Sequence, residues 1–263
     1  MTELNAGRAR WAIVEHTRRL ADSAAAAGPA AAVPTTPGWT VADLVAHVGQ
    51  TQHWVAEIIE RRIIDPAQLP AGAAELPADP REWPAWLEGS ARRVADALSD
   101  DALDALVFNA AGDARTGARF WMASVLNESV VHGFDGAHAA GRTVDVEPDV
   151  AAALIDNHLA MLTSPTWKMR RPGSAGAIRG TGQTLQWQAT DTEDGTGAWF
   201  VERRPDGARW QPVTRPADVT VTGPAGALLL TLTRRLPLAD GVTVDGDAGL
   251  ARHWLESTAH VAD

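Results

Sequence analysis

The sequence predicts an α+β protein of two domains, a four-helix-type bundle over residues 1–164 followed by a smaller α+β domain over residues 165–263. Three observations predict this fold. Apolar residues recur at spacings of three and four as far as Leu162, which is the period of amphipathic helices. From residue 185 onward, apolar residues alternate with polar ones in short segments, as they do in strands. Hydrophobic residues form 45% of the chain, which is enough for a packed core.

Five helices are predicted in the first domain. The second has the clearest start, because Thr40 and Asp43 form a capping-box pattern in which Asp replaces the usual Glu or Gln. The fourth stops at Gly141, a residue type favoured just after the last helical turn. The proline-rich stretch 65–82 is predicted to be a surface connection. The predicted helices span residues 5–26, 40–62, 83–98, 119–140 and 150–162.

The second domain is predicted to combine short strands with two helices. Its strand segments are rich in Trp, Val and Phe and alternate in polarity. An apolar helix opens at Gly223-Pro224 and ends before Pro237, and Asp247 can cap a final helix that runs through Trp254. The predicted strands span residues 185–190, 198–203, 208–213, 219–221 and 242–244.

The composition excludes several classes of function. The net charge of -10 argues against a nucleic-acid-binding surface, which needs a basic stripe to meet phosphates. The sequence has no cysteine, so the chain can supply neither a disulfide nor a thiolate. No stretch approaches the roughly 18 apolar residues of a membrane span, and residues 1–20 lack the apolar core of a signal peptide. These features predict a cytoplasmic protein that binds neither nucleic acid nor membrane.

One face of the fourth predicted helix changes from apolar to ionisable. Successive spacings of 4, 3, 4 and 3 place five side chains on one stripe, and such a stripe normally faces a bundle core. A buried carboxylate that lacks its partner costs about 3–5 kcal/mol, so the ionisable part of the stripe needs partners. The stripe consists of Trp121, Val125, Glu128, His132 and Asp135.

His47 occupies a similar position on the second predicted helix, at the flank of its apolar face. Together with Glu128 and His132 it would form a site of two nitrogen ligands and one oxygen ligand, as in catalytic zinc centres that keep one position open. Two other interpretations remain open on spacing alone. His47 could be a core histidine bonded to a carbonyl group, and Glu128 and His132 could be an ordinary pair on a helix surface.

Three segments resemble the actinobacterial, mycothiol-dependent maleylpyruvate isomerase family, which is related to the wider DinB-like bundles. The first two are PGWTVADLVAHVGQTQHWVAEIIERR (37–62) and LNESVVHGFDGAHAAG (126–141). The third, residues 217–255, resembles the C-terminal domain of that family, which has a sterol-carrier-like α+β fold. The resemblance covers both halves of the chain in the same order. It therefore implies a DinB-like metal-binding bundle followed by a sterol-carrier-like domain.

The resemblance also implies roles for individual residues. His47, Glu128 and His132 match the ligands of a divalent metal, which in the family is usually zinc. Asp135 matches a trailing acid that we expect to orient a ligand histidine. Arg235 matches an arginine of the C-terminal domain that acts near the metal. Family members often have Gly before this arginine, whereas this chain has Arg234, so the sequence does not decide which arginine faces the site.

The implied function is that of a metal-dependent enzyme that uses mycothiol as co-substrate. Such an enzyme isomerises a small-molecule substrate from cis to trans by adding the thiol and eliminating it. Two alternatives stay open: a mycothiol S-transferase of the DinB-like superfamily, and a non-catalytic metal-binding or regulatory module. Both a monomer and a homodimer are compatible with the sequence.

Overall fold

The structure is a computed structural model that describes residues 4–193 and 196–259. The chain divides into two compact units. The helical unit comprises Asn5–Ala110 and Ala114–Val144, and the sheet-containing unit comprises Ala111–Asp113 and the chain from Asp145 onward. The predicted α+β, two-domain fold class is thus confirmed. None of the described helices is long and apolar enough to cross a membrane.

Four long helices form the helical unit in the predicted order. α1 packs against α3 and α4, and α2 packs against the same two helices, so the four surround a common core. The predicted capping box is present, because Thr40 Oγ1 accepts a hydrogen bond from the Asp43 backbone N–H and Asp43 accepts one from that of Thr40. The helices are α1 (Ala6–Ala27), α2 (Val41–Glu60), α3 (Trp83–Ala97) and α4 (Gly117–Ala139).

The connections of this unit include three short 3-10 turns, at Pro66–Gln68, Pro80–Glu82 and Asp100–Ala102. The first two lie at the two ends of the segment 65–82, which agrees with the predicted surface connection. Each begins after an aspartate, Asp65 or Asp79, whose side chain accepts a hydrogen bond from a backbone N–H two residues later. Proline at the first position of these turns has a backbone φ suited to a helical turn, and the N–H that it lacks would have no partner there.

A buried polar cluster lies in the core between the four helices. Gln52 of α2 donates hydrogen bonds to Thr17 Oγ1 at 2.7 Å and to Ser129 Oγ at 3.1 Å, and its Oε1 accepts one from Ser90 at 2.6 Å. These four side chains come from four different helices and are almost completely buried. Because each polar group has a partner, the cluster joins the helices without leaving an unsatisfied group.

The sheet-containing unit has one five-stranded sheet in the order β3-β2-β1-β4-β5. β1 pairs in parallel with β4, and the other neighbouring strands pair antiparallel. α5 packs against α8, which also contacts β1 and β4. The elements are α5 (Pro148–Leu162), α6 (Pro165–Arg170), α7 (Pro172–Ala177), β1 (Thr184–Ala189), β2 (Ala198–Arg204), β3 (Gly207–Gln211), β4 (Val219–Gly223), α8 (Ala225–Leu232), β5 (Thr243–Gly246) and α9 (Ala248–Ser257).

The structure differs from the sequence-based organisation in two places. The contacts of α5 with α8 group α5 with the sheet, so the compact units divide at residues 144 and 145, whereas the sequence predicts a boundary at 164. The two six-residue helices α6 and α7 were not predicted. Each begins with a proline, and six residues are too few to show a helical period, so no sequence pattern distinguishes them from a loop.

The turn after α8 places Arg234 in a backbone conformation that favours glycine. Arg234 has a φ of 62°, in the left-handed region. Its backbone N–H donates to Thr231 O, and that of Arg235 donates to Leu230 O, which is the hydrogen-bond pattern of a Schellman cap. A glycine adopts this conformation without the steric strain that a Cβ atom causes.

We expect Arg234→Gly to stabilise the protein by about 1 kcal/mol, because it removes this strain at the end of α8. Thermal unfolding followed by circular dichroism would measure the change. Arg235→Gly is the control, because Arg235 does not have a positive φ, so glycine there relieves no strain, adds freedom to the unfolded chain and removes the hydrogen bond from Nη1 to Thr233 O. An Arg234→Gly protein that unfolds at a lower temperature than the parent would contradict the prediction.

Candidate metal centre

His47 lies on α2, seven residues after Thr40, the residue that caps this helix. Its neighbours Leu44 and Val48 are fully buried and hold α2 against the core of the helical unit. The imidazole ring itself is half-buried, so it lies at the edge of this core rather than inside it.

Glu128 and His132 lie one turn apart on α4, facing His47. Glu128 Oε2 is 2.9 Å from His47 Nε2 and 3.1 Å from His132 Nε2. The three potential ligand atoms all lie within 4.8 Å of one another. The structure therefore brings together the three side chains that the sequence predicts as metal ligands.

Asp135 contacts the other nitrogen of His132. The carboxylate of Asp135 is completely buried, and its Oδ2 atom is 2.8 Å from His132 Nδ1. This contact orients the imidazole ring so that Nε2 points towards Glu128. It is the arrangement expected of an acid that orients a ligand histidine, and that role remains our prediction for Asp135.

The charges of Glu128 and His132 stabilise each other. Burial acts to lower the pKa of His132, but hydrogen bonds with Asp135 and Glu128 outweigh burial and raise this pKa to about 9. Burial acts to raise the pKa of Glu128, but the contacts with His132 and His47 hold it well below the usual carboxyl range. In the metal-free protein the cluster is therefore a carboxylate and an imidazolium at neutral pH.

This pKa shift predicts opposite effects of pH on the metal-free and metal-bound forms. His132 has a higher pKa when folded than its ordinary value of 6.5, so its stabilising effect is complete below pH 6.5 and is lost as the pH rises through about 9. With a chelator present, we expect the free energy of unfolding to fall by about 3 kcal/mol over this range. Denaturant titrations at several pH values would measure this loss.

Metal affinity should change in the other direction, because an ion that binds Nε2 displaces the proton of His132. Zinc affinity should therefore rise about tenfold per pH unit between pH 7 and 9. Competition with a chelating dye would measure the affinity, and calorimetry in buffers of different ionisation enthalpy would count the released protons. A zinc affinity that stays constant over this range would contradict the proposed protonation state.

Trp39 is part of the site, although its sequence position did not reveal this. The Trp39 ring stacks on the His132 ring at 25° with centroids 5.9 Å apart, and its centroid is 5.0 Å from that of His47. Hydrogen bonds of the Trp39 backbone with Thr36 and Val33 hold the residue directly before the Thr40 cap. One feature of the sequence could have indicated this contact: Trp39 precedes the cap of α2 by one residue and is therefore about two helical turns from His47.

The three side chains fit a divalent ion in donor chemistry and in spacing. Two imidazole nitrogens and one carboxylate oxygen form the donor set of several catalytic zinc enzymes. Tetrahedral ligands at 2.0–2.2 Å from an ion lie about 3.4 Å apart. The separations of 2.9 and 3.1 Å from Glu128 Oε2 are slightly shorter, so small side-chain movements would accommodate the ion.

A sequence model of the mycothiol maleylpyruvate isomerase N-terminal domain matches residues 10–137. This range contains His47, Glu128 and His132, which makes it the part of the chain that forms the cluster. The helical unit belongs to this family. The family resemblance predicted from the sequence is thereby confirmed. No curated protein matches the chain in sequence.

The solved structures extend the likeness to the fold of the whole chain. Crystal structures of the mycothiol-dependent maleylpyruvate isomerase and of a histidine-to-alanine variant both match with a TM-score of 0.56 at 16% identity, over 92% of this chain and 93% of the other. A UbiJ-SCP2 ubiquinone synthesis protein matches over 44% of this chain and 93% of its own chain at 16% identity. Its TM-score of 0.28 is too low to indicate a shared fold. The isomerase structures thus support the two-domain fold.

The predicted catalytic arginine follows α8 in the sheet-containing unit. Arg235 is half-buried, and its Nη1 donates a hydrogen bond to Thr233 O at 3.0 Å. Arg234 is exposed and occupies the left-handed position where isomerase family members often have glycine. Both arginines directly follow the end of α8, and the catalytic role of Arg235 remains a prediction.

Proposed function

We propose that the protein is a metal- and mycothiol-dependent enzyme that isomerises a small unsaturated substrate, as maleylpyruvate isomerase does. The observation that carries the proposal is the convergence of His47, Glu128 and His132 in a unit of the mycothiol maleylpyruvate isomerase N-terminal family. Zinc is the proposed metal because the donor set is typical of catalytic zinc. Nickel and iron also accept nitrogen and oxygen ligands.

The residues around the centre have separate tasks in this proposal. A bound ion supplies a Lewis acid that lowers the pKa of a thiol or polarises a carbonyl group. His47, Glu128 and His132 hold it, while Asp135 keeps the Nδ1 proton of His132 and so leaves Nε2 as the ligand atom. The indole of Trp39 covers the two imidazole rings with apolar surface, which limits the access of water to them.

The thiol must come from a small molecule, because the sequence has no cysteine. In the proposed reaction the thiolate sulfur bonds to one carbon of a cis double bond, and the resulting single bond rotates. The carbon–sulfur bond then breaks, the double bond re-forms in the trans configuration, and the thiolate is released unchanged. We propose that Arg235 holds a carboxylate of the substrate in a bidentate contact.

A mycothiol S-transferase is the second candidate, because the same ligands would activate a thiol for attack on an electrophile. In that reaction the carbon–sulfur bond remains and another group leaves. A non-catalytic metal-binding or regulatory module would instead be expected to have a closed, four-ligand site. The group described by the structure has three ligand residues, and Asp135 contacts His132 rather than adding a fourth donor, which favours an open site.

The test begins with protein purified without added metal. Elemental analysis should find about one equivalent of a divalent metal per chain, and maleylpyruvate should be isomerised only when mycothiol is present. Mycothiol is recovered in full after isomerisation, whereas a transferase consumes one equivalent for each electrophile. Stoichiometric thiol consumption would therefore assign the transferase. Bound metal without activity on either type of substrate would favour the non-catalytic module.

A further inference from the structure

The sheet-containing unit has a groove of about 480 Å³ that is separate from the metal-binding residues. All five residues of β3, which is an edge strand of the sheet, line this groove, together with residues of β2 and side chains from two other segments. The groove therefore extends along β3. Its volume is within the range of small-molecule sites.

The groove has an excess of positive charge in a chain whose net charge is -10. Two of its arginines are neutralised locally, because Arg204 pairs with Glu202 at 2.7 Å and Arg209 pairs with Asp206 at 2.9 Å. The two other cations of its lining are Lys168 and Arg215. In the described part of the chain, neither of them pairs with a carboxylate.

Arg215 is exposed, and two contacts position it beside the sheet. Its guanidinium carbon is 5.4 Å from the centre of the Phe200 ring, and Phe200 is buried. Its backbone N–H donates at 3.0 Å to the side-chain oxygen of Gln186, which is buried in β1. The planar guanidinium can present two N–H groups to a carboxylate or phosphate.

Lys168 and Arg215 lie at opposite ends of β3. Its Nζ atom lies over Gly207, only 3.5 Å from where a Cβ atom of that residue would be. Arg215 lies over Phe200, which pairs with Gln211 at the other end of the strand. Four residues of extended strand separate these two ends by about 14 Å.

We propose that this groove binds an elongated small molecule with an anionic group at each end. Arg215 binds one carboxylate or phosphate in a bidentate contact, and Lys168 attracts the other as a point charge. The site belongs to the sheet-containing unit alone and includes none of the predicted metal ligands. Its ligand should therefore bind equally well to protein with and without zinc.

The single lysine makes the site directly observable. Lys168 is the only lysine in the sequence, so reductive methylation with ¹³C-formaldehyde labels one side chain besides the N-terminal amine and keeps its charge. Decanedioate, decanoate and succinate are the probes, and the shift of the Lys168 methyl signal measures binding. Decanedioate should bind about tenfold more tightly than either of the other two probes. Decanoate has only one charge, and succinate is too short to reach both cations.

Variants of the intact protein test the two contacts. Arg215→Gln should weaken the binding of decanedioate about tenfold, and Arg215→Lys should restore only part of the loss, because lysine lacks the planar pair of donors. Arg170→Gln is the matched control. It removes one positive charge from α6, the helix that carries Lys168, at an exposed residue outside the lining of the groove.

Three results would overturn the proposal. Equal affinities for decanedioate and decanoate would show that the two ends do not act together. Equal losses in Arg215→Gln and Arg170→Gln would show that only general electrostatic attraction is measured. Binding of an extended acidic peptide without binding of decanedioate would assign the groove to a protein partner. None of these results depends on the activity of the metal centre.

Discussion

Replacing His47 with alanine should abolish stoichiometric metal binding and all thiol-dependent activity. In the described part of the chain the cluster has three predicted ligand residues, so the loss of His47 leaves His132 and Glu128. Two ligands on adjacent turns of one helix cannot close a stable catalytic site, and we expect the affinity for zinc to fall at least about a hundredfold, or about 2.7 kcal/mol. Elemental analysis and competition with a chelating dye would measure the loss.

The His47→Ala protein should remain folded, because the side chain is half-exposed while its buried neighbours Leu44 and Val48 remain in place. His138→Ala is the matched control, since it removes an exposed histidine from α4 that lies outside the cluster. The control should keep one equivalent of zinc. If the His47→Ala protein also retains stoichiometric zinc, the ligand assignment is wrong.

The second large effect concerns stability. Gln52→Ala should destabilise the helical unit by about 3 kcal/mol, because it removes three buried hydrogen bonds and leaves a cavity between four helices. Gln52→Leu should cost less, about 1–2 kcal/mol, since leucine fills most of the space. In that variant Thr17 and Ser129 keep their hydrogen bonds to backbone carbonyl groups, and the single hydroxyl proton of Ser90, which no longer has Gln52 as an acceptor, can be donated to Leu87 O.

Denaturation monitored by helical circular dichroism, with a chelator present, would test this order of stabilities. Gln68→Ala is the control, because Gln68 is exposed in a 3-10 turn and its loss should change stability by less than about 0.5 kcal/mol. If Gln52→Ala is no less stable than this control, the polar cluster does not stabilise the bundle. Stoichiometric metal binding should survive in all three variants at temperatures where they remain folded.

The long helices and the strands follow from local patterns. The capping box at Thr40, the glycine after α4 and the alternating strands are all determined by neighbours a few residues apart, so the sequence predicts them well. The spacing of Glu128, His132 and Asp135 is also local, and it correctly predicts that their side chains lie close together. The pairing of these residues with His47 is different, because 81 residues separate it from Glu128.

The choice of His47 depended on a family resemblance, since spacing alone left two other interpretations open. The approach of Trp39 to both histidines and the position of α5 beside α8 depend on packing between distant segments. Helical periodicity shows which face of a helix is apolar, but it does not show which other segment covers that face. Contacts of this kind therefore cannot be predicted from local sequence patterns.

Local sequence patterns thus predicted the long helices, the strands, the order of the two domains and a set of residues able to bind a metal. The packing of α2 on α4 places one oxygen of Glu128 within 3.1 Å of both histidines, and Asp135 Oδ2 lies 2.8 Å from His132 Nδ1. Secondary structure and the geometry of a metal centre depend on interactions of different range along the chain. Hydrogen bonding and side-chain order along a helix are set over four or five residues, whereas a metal centre requires angstrom-scale positions that arise only when two helices pack.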